Sequence, residues 1–514
     1  MTAYECDFVV IGAGSAGCAA AYSLQKAGIG TIAVLEAGLT NAVPQVRIPL
    51  GLVWTRGSKR DWRFLSAPRK EVGGRQIGVT RGKMLGGSSS INSMVWFRGR
   101  RDDFDNRNVP GWAWADVEAD FEAVEAIMQP SRFPDPHPLS SAYALGLGDN
   151  GEAAPTPERE SAGVFDVNMR NGARWSAADG FLGPAKRSGD VEVFTSANVD
   201  RVCFEDGRAR RVRLTDGREI VARGGILLSS GSIGSPSILM RSGIGPARHL
   251  KDCGIEVVAD APEVGANLHD HPAVGLHFMG PASGYGLEMR QLPAWAFSPL
   301  NLLLRRKGRL VSQVVEAGAF FRAMPVGADG DDRPDCQSHF IPFTVGHKDR
   351  LIVWGAGYSA DVNICRPFSR GRLLLSSADA GDAPVIDLGL LSDERDVDIL
   401  VHGVRRLRRL LERAPFENRR AKEIYPGEDV TSDEGLHQFV KDRCATAYHP
   451  VGTLRMGDGD APVDGRMRLK GVDGLWVADA SVMPAVTTAN TNAPSMMIGY
   501  RAGRMIAEDL KEMR

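Results

Sequence analysis

Gly12, Gly14 and Gly17 follow directly on the apolar run Phe8-Val9-Val10-Ile11, and Glu36 follows a second run, Thr31 to Leu35. Glycines and an acid at this spacing can bind a dinucleotide. Gly12 allows a tight turn, Gly14 lets the backbone approach a pyrophosphate with no Cβ in the way, and Gly17 lets the next helix lie close to the strand. Glu36 can accept the ribose hydroxyls of an adenosine, and its charge repels a 2′-phosphate. The elements that must position these groups are a buried parallel strand, a helix of compact residues (Cys18, Ala19, Ala20, Ala21, Leu24) ended by Gly28, and a second strand.

A second stretch, Gly82-Lys83-Met84-Leu85-Gly86-Gly87-Ser88-Ser89-Ser90-Ile91-Asn92, combines adjacent glycines with three hydroxyls, a composition suited to close backbone approach and anion binding. The pattern then predicts an amphipathic helix from Gly111 to about Ile127 and a loop over 129–160. Short strands follow at Val191–Phe194, Arg201–Phe204, Arg211–Leu214 and Glu219–Val221, and a buried strand at Gly225–Ser229. Residues 231–245 read as a small-residue turn into a short helix. Near the C-terminus, Leu475–Ala478 reads as a buried strand ending in Asp479-Ala480-Ser481. A closing helix runs through Ile506, with Asn492 placed to cap it and Pro494 in its first turn.

Composition narrows the function classes. The 514 residues are 43% hydrophobic, enough for a large core in two or three domains. Lys plus Arg total 62 against 63 Asp plus Glu, so net charge favours neither nucleic acid nor an anionic membrane as partner. No apolar run is long enough to span a bilayer, and the first strand begins too early to leave room for a signal peptide, so a cytoplasmic protein is expected. Seven scattered cysteines without a C-x-x-C pair indicate neither a disulfide framework nor zinc. His269 and His271 form the one short histidine cluster, which is expected to make turn hydrogen bonds, not to hold a metal. Apolar residues from Ile399 to Leu411 recur at helical spacing with Arg405, Arg406, Arg408, Arg409 and Arg413 between them, a solvated helix face and not a nucleic-acid site.

Residues 82–105 and 231–245 resemble the two signatures of the glucose–methanol–choline (GMC) flavoprotein oxidoreductases, and the N-terminal unit and C-terminal segment lie where that family has them. The resemblance implies an α/β (α+β overall) chain. A Rossmann-like FAD-binding domain would span residues 1–274 and 438–514, with a discontinuous antiparallel-sheet substrate domain over 275–437. Segments at Val314–Phe321, Ser338–Thr344 and Leu373–Ser376 would build the roof over the flavin. The implied FAD-binding residues are Gly12, Gly14, Ser15, Gly17, Glu36, Ala37, Arg81, Gly86, Gly87, Ser88, Asn92, Val202, Asp479, Ala480, Asn490 and Pro494. Some members attach FAD through a histidine in the first signature; Ile91 stands at that position here, which implies a non-covalent cofactor.

His449, in Ala447-Tyr448-His449-Pro450-Val451-Gly452-Thr453, lies in a stretch similar to the one carrying the family's catalytic histidine, and imidazole titrates near neutrality. Asn492 aligns with the family's second active-site position, where an amide can hydrogen-bond the substrate oxygen but cannot take its proton. The resemblance therefore implies oxidation of a small primary alcohol to the aldehyde by hydride transfer to flavin N5, with His449 as base and O2 or another electron acceptor. Choline, aryl or furfuryl alcohols and pyridoxine-like compounds are all candidate substrates. Tyr448 and Glu316 are candidate substrate contacts; relatives that oxidise choline hold its cation with a glutamate from this region, and a salt-bridged structural carboxylate is the equal alternative. A hydroxynitrile-lyase-type enzyme of the same fold and a non-enzymatic flavin sensor are the competing functions. Oligomeric state is not legible.

Overall fold

Apolar β-branched runs buried on both faces dictate the central sheet, whose parallel strands read as continuous hydrophobic segments. In the computed structural model, which describes residues 4–105, 109–145, 153–280, 284–326, 331–344, 354–412, 416 and 421–512, this sheet has seven strands. Their order is Val191–Phe194, Ile32–Leu35, Tyr4–Ile11, Glu219–Leu228, Arg208–Leu214 and Val199–Glu205, with Leu475–Val477 also paired to Glu219–Leu228. Ile11 lies opposite both Leu35 and Leu228, and Leu228 opposite Val477, so four parallel strands end at one edge. Gly12, Glu36, Ser229 and Ala478 are the next residues in each chain segment. In open α/β sheets that edge is where a ligand binds.

The two short strands expected at Glu219–Val221 and Gly225–Ser229 are one continuous strand, Glu219–Leu228. Arg223-Gly224-Gly225 resembles a turn in sequence, but a Cβ at Gly225 would lie 2.4 Å from the Trp476 ring. Gly225 is thus a packing position inside the strand, where the indole of the neighbouring strand takes the side-chain volume.

The first helix, Ser15–Lys26, packs along the closing helix, Asn492–Glu512. Contact is at backbone distance: a Cβ at Gly499 would meet the Ala16 carbonyl oxygen at 2.1 Å, and one at Gly503 would meet Ser23 Cβ at 2.7 Å. The two helix starts therefore meet, and the Ser15 hydroxyl donates to Asn492 Oδ1 over 2.7 Å.

A second sheet, antiparallel throughout, runs Lys422–Tyr425, Pro272–Met279, Gly357–Ile364, Cys336–Ile341, Ala317–Phe321, Ser161–Val164, and Ala445–Thr446 also pairs with Pro272–Met279. It draws strands from before residue 275 and after residue 437 as well as from between. Arg372–Leu374, expected in this roof, pairs instead with Val385–Asp387 in a separate two-stranded ribbon. The helix Glu394–Leu411 buries Ile399, Leu400, Val404, Leu407, Leu410 and Leu411. Three of its arginines are engaged in ion pairs, Arg405 with Asp433, Arg406 with Glu160 and Arg408 with Glu423. No helix among the described residues is long and apolar enough to cross a membrane.

Candidate active site

At the carboxyl edge of the first sheet lies a cleft of ≈ 380 Å³, lined among others by Gly12, Gly14, Ser15, Glu36, Ala37, Arg81, Gly87, Ser88, Asp479 and Ala480. The loops around it hold one another in place. Gly12 has φ +99°, a conformation that favours glycine, and a Cβ there would lie 2.5 Å from the Ser229 carbonyl oxygen. A Cβ on Gly17 would lie 1.9 Å from the Gly12 carbonyl oxygen, so both glycines are required by the protein's own backbone. Gly14 differs: its nearest such neighbour is 4.0 Å away, and what needs the space is whatever enters the cleft. Gly86 N–H donates to the Ala13 carbonyl over 2.7 Å, which docks the second glycine stretch on the first.

Glu36 accepts from Ala13 N–H at 3.1 Å and Gly38 N–H at 2.8 Å, and burial pushes its carboxyl up to about 7. Each oxygen keeps a lone pair for a further donor. Asp479 accepts from Gly231 N–H, the Ser235 hydroxyl and Ser481 N–H, at 2.6–2.8 Å, binding the strand end to the 231–245 turn; burial raises its pKa. The closing helix presents the positive end of its dipole here, with Ser495 of its first turn in the cleft wall.

Around His449 a second group of polar side chains converges. Its backbone N–H donates to Asp270 Oδ1 over 2.9 Å. Asn490 lies with Nδ2 3.1 Å from His449 Nε2, and Asn490 Oδ1 accepts from Gln337 Nε2 over 3.3 Å. With the two amides in these orientations Nδ2–H points at the ring, an arrangement that suits the tautomer protonated at Nδ1, which is buried without a partner among the described residues. Burial, followed by the nearby His271, His339 and Arg81, holds the His449 pKa well below its ordinary value. The neutral ring is favoured, and its Nε2 lone pair is the one that Asn490 Nδ2 meets. The His271 ring stands edge-on to it at 5.3 Å, donating from Nδ1 to the Ile364 carbonyl at 2.5 Å.

The chain matches the GMC oxidoreductase family over residues 6–273 and 367–499. The chain belongs to this family. An oxygen-dependent choline dehydrogenase of Rhizobium johnstonii is 36% identical over 97% of this chain and 95% of its own length. An alcohol dehydrogenase [acceptor] of Pseudomonas putida is 34% identical over the same shares. Among solved structures, pyridoxine 4-oxidase from Mesorbium loti superposes with a TM-score of 0.85 at 26% identity, covering 97% of this chain and 98% of its own. A formate oxidase superposes at 0.88 and 25% over the whole of both chains.

As a GMC enzyme the protein is an FAD-dependent oxidoreductase acting on CH–OH donors. The cleft fits that cofactor: it opens at the ends of parallel strands, keeps a glycine with no protein neighbour to exclude a side chain, and has a buried carboxylate with acceptor capacity to spare.

Several site residues fall elsewhere than the sequence suggested. Val202 lies outside the cleft with its N–H taken by the Ser242 hydroxyl at 2.9 Å, and Val199, three residues earlier in the strand, lines the wall. Geometry puts the asparagine beside His449 at 490, expected as a cofactor contact, and not at 492, which faces Ser15. Glu316 is fully buried and accepts from His137 N–H, the Ser140 hydroxyl and the Ser312 hydroxyl at 2.6–2.8 Å, so it ties three segments together, and it is not among the residues lining this cleft. Tyr448 is part-exposed under the Arg56 guanidinium, 4.8 Å from its ring centre, and its carbonyl accepts from Arg81. Asn92 accepts from the buried Arg174 at 2.9 Å, and Pro494 is buried in the first turn of the closing helix. Ile91 packs with Val46 and Met84. His269 uses both ring nitrogens on backbone, at Asn267 and Val486, and no group of three potential metal ligands exists among the described residues. Trp62, Phe64, Ser230 to Gly234 and the ribbon tip 380–384 also line the cleft. Only the 231–245 turn carried a sequence signal for this.

Proposed function

We propose that the protein oxidises a small, polar primary alcohol to its aldehyde, with His449 as the base and Asn490 as the hydrogen-bond partner of the substrate oxygen. The observation that carries this reading is the neutral His449 Nε2 held by an amide whose orientation is fixed by Gln337. Bound FAD, held non-covalently by the glycine loops and Glu36, supplies the acceptor for the two electrons and the hydrogen of the substrate C–H bond. His449 handles the other hydrogen. A depressed pKa makes it a poor acceptor for the proton of a resting alcohol, but the hydroxyl becomes strongly acidic as the C–H bond breaks. Proton transfer to Nε2 therefore belongs to the transition state: the substrate hydroxyl replaces Asn490 N–H at Nε2, and the freed N–H turns to the charge developing on oxygen.

The roof supports a polar substrate. Gln337 Oε1, His339 Nε2 and Asn363 Oδ1 are buried and have no hydrogen-bond partner among the described residues. Gln337 is directly opposite Asn363 across two strands, with His339 two residues on. Buried polar atoms are normally satisfied, and a substrate bearing several hydrogen-bonding groups would satisfy these. Choline offers no such groups beyond its hydroxyl, and Glu316 has its oxygens committed to the protein. We therefore read the substrate as pyridoxine-like in its polarity, with 275–437 supplying most of its pocket and residues 1–274 and 438–514 the cofactor site, in a cytoplasmic setting.

Anaerobic bleaching of the bound flavin across a panel of choline, pyridoxine-like, furfuryl and aryl alcohols tests this, with the same panel in air and peroxide detection to identify the acceptor. Reduction by pyridoxine-like alcohols ahead of choline is expected. A flavin that no alcohol bleaches would remove the oxidation reading and leave the lyase and the flavin sensor.

A further inference from the structure

We propose that the helix Leu292–Arg305 is a docking surface for an anionic lipid bilayer, lying in the headgroup plane. It sits in the connection between two strands of the second sheet, Pro272–Met279 and Ala317–Phe321. Only Ser298 of its residues is buried, and Leu302 anchors it on the core cluster that contains Phe97, Phe165 and Ala489. Every exposed side chain from Leu292 to Leu304 is apolar. Phe297, Leu300, Leu303 and Leu304 are 62, 51, 67 and 74% exposed, and Met289 just before the helix is 72% exposed. Isolated exposed leucines are ordinary, but a continuous apolar face of this kind marks an interaction site.

Charge decides what it meets. Arg290 precedes the apolar face and Arg305-Arg306-Lys307 follows it, all four exposed. Glu288 is the one acid between residues 285 and 310, against these four cations and Arg309, which stacks on Trp295 at 4.9 Å. The whole chain's net charge of −1 conceals this local excess. An apolar face bounded at both ends by Arg and Lys is the pattern of a helix that sinks into the headgroup boundary while its cations pair with lipid phosphates. At 14 residues the helix is too short to span, so it lies on the membrane. A protein partner or second copy would have to bring a matching acidic rim.

The test uses FAD-loaded protein co-sedimented with vesicles of pure phosphatidylcholine or of phosphatidylcholine with one-quarter phosphatidylglycerol. Binding to the anionic vesicles, weakened by high salt and on the order of a hundredfold by Arg305→Glu, Arg306→Glu and Lys307→Glu together, is expected. Changing Phe297, Leu300, Leu303 and Leu304 to Ser should abolish binding while leaving flavin content and flavin reduction by a soluble alcohol unchanged, because these side chains face solvent. No sedimentation with either vesicle, or equal sedimentation with neutral ones, would overturn the proposal. So would a dimer in sedimentation velocity that the serine substitutions dissociate and that ignores vesicles.

Discussion

Asn490 lies with its amide Nδ2 3.1 Å from His449 Nε2, whereas Asn492, two residues on, accepts from the Ser15 hydroxyl over 2.7 Å. One asparagine meets the His449 ring and the other joins the two helix starts beside the cleft. Their substitutions should therefore separate. His449→Ala is expected to slow flavin reduction by the alcohol by on the order of a hundredfold or more, the scale of losing a general base. Asn490→Ala should slow it about tenfold, since a neutral amide contributes one hydrogen bond. Asn492→Ala should leave reduction nearer normal and weaken FAD retention. Stopped-flow reduction of the three variants, each assayed for flavin content, checks this; a slower Asn492→Ala than Asn490→Ala would return the catalytic role to residue 492.

Gly14→Val isolates ligand from fold. Gly12 and Gly17 cannot carry a side chain without moving backbone, but a Cβ at Gly14 meets no protein atom closer than 4.0 Å. The variant should fold with near-normal circular dichroism and purify colourless, because the branched side chain takes the volume a pyrophosphate needs. Full flavin occupancy would mean that the pyrophosphate lies elsewhere. The wild-type protein should release intact FAD on acid precipitation, as Ile91 offers no atom for a covalent bond.

The geometry of the cleft was legible because it is set by the backbone: Gly12, Gly17 and Glu36 sit at fixed offsets within one βαβ unit, and local spacing records that. Asn490 and Asn492 could not be told apart in this way. Asn490 sits in an irregular segment where Ala489 has φ +133°, Asn492 opens the closing helix, and Asn490 is bonded to Gln337, 153 residues away. Val202, which the family resemblance implied as a cofactor contact, lies three residues along the strand from Val199, which lines the wall. Glu316 is the converse case, a carboxylate whose three donors come from residues 137, 140 and 312. No sequence pattern distinguishes such a structural acid from a ligand-binding one.

Glu316→Ala should accordingly cost stability and not selectivity. Removing the carboxylate strands the His137 N–H and two hydroxyls in a buried site, at roughly 3 kcal/mol in total. Thermal denaturation should show a clear drop in Tm, while the ranking of alcohols by reduction rate stays as in the parent. A specific rise in KM for a cationic alcohol with Tm unchanged would instead assign Glu316 to substrate binding.

His271 provides a pH dependence whose sign is fixed by burial. Desolvation lowers its pKa to about 4 from an ordinary 6.5, so the unfolded chain binds a proton in that interval which the folded protein does not. Stability contributed by the neutral ring is present above 6.5 and lost as pH falls toward about 4, by about 3 kcal/mol over the full window. His271→Asn keeps a side-chain donor for the Ile364 carbonyl and removes the titration. The parent should exceed the variant in Tm at about pH 7.5 and lose that advantage steadily on the way to about pH 5. Glu36 and Glu316, raised to about 7 by burial, titrate with the opposite sign, their contribution greatest at low pH and lost as pH rises through 7. Both proteins share them, so they cancel in the difference. Differential scanning fluorimetry at matched ionic strength reads it directly, and a Tm gap that does not change with pH would show that the ring at 271 is already solvated in the folded enzyme.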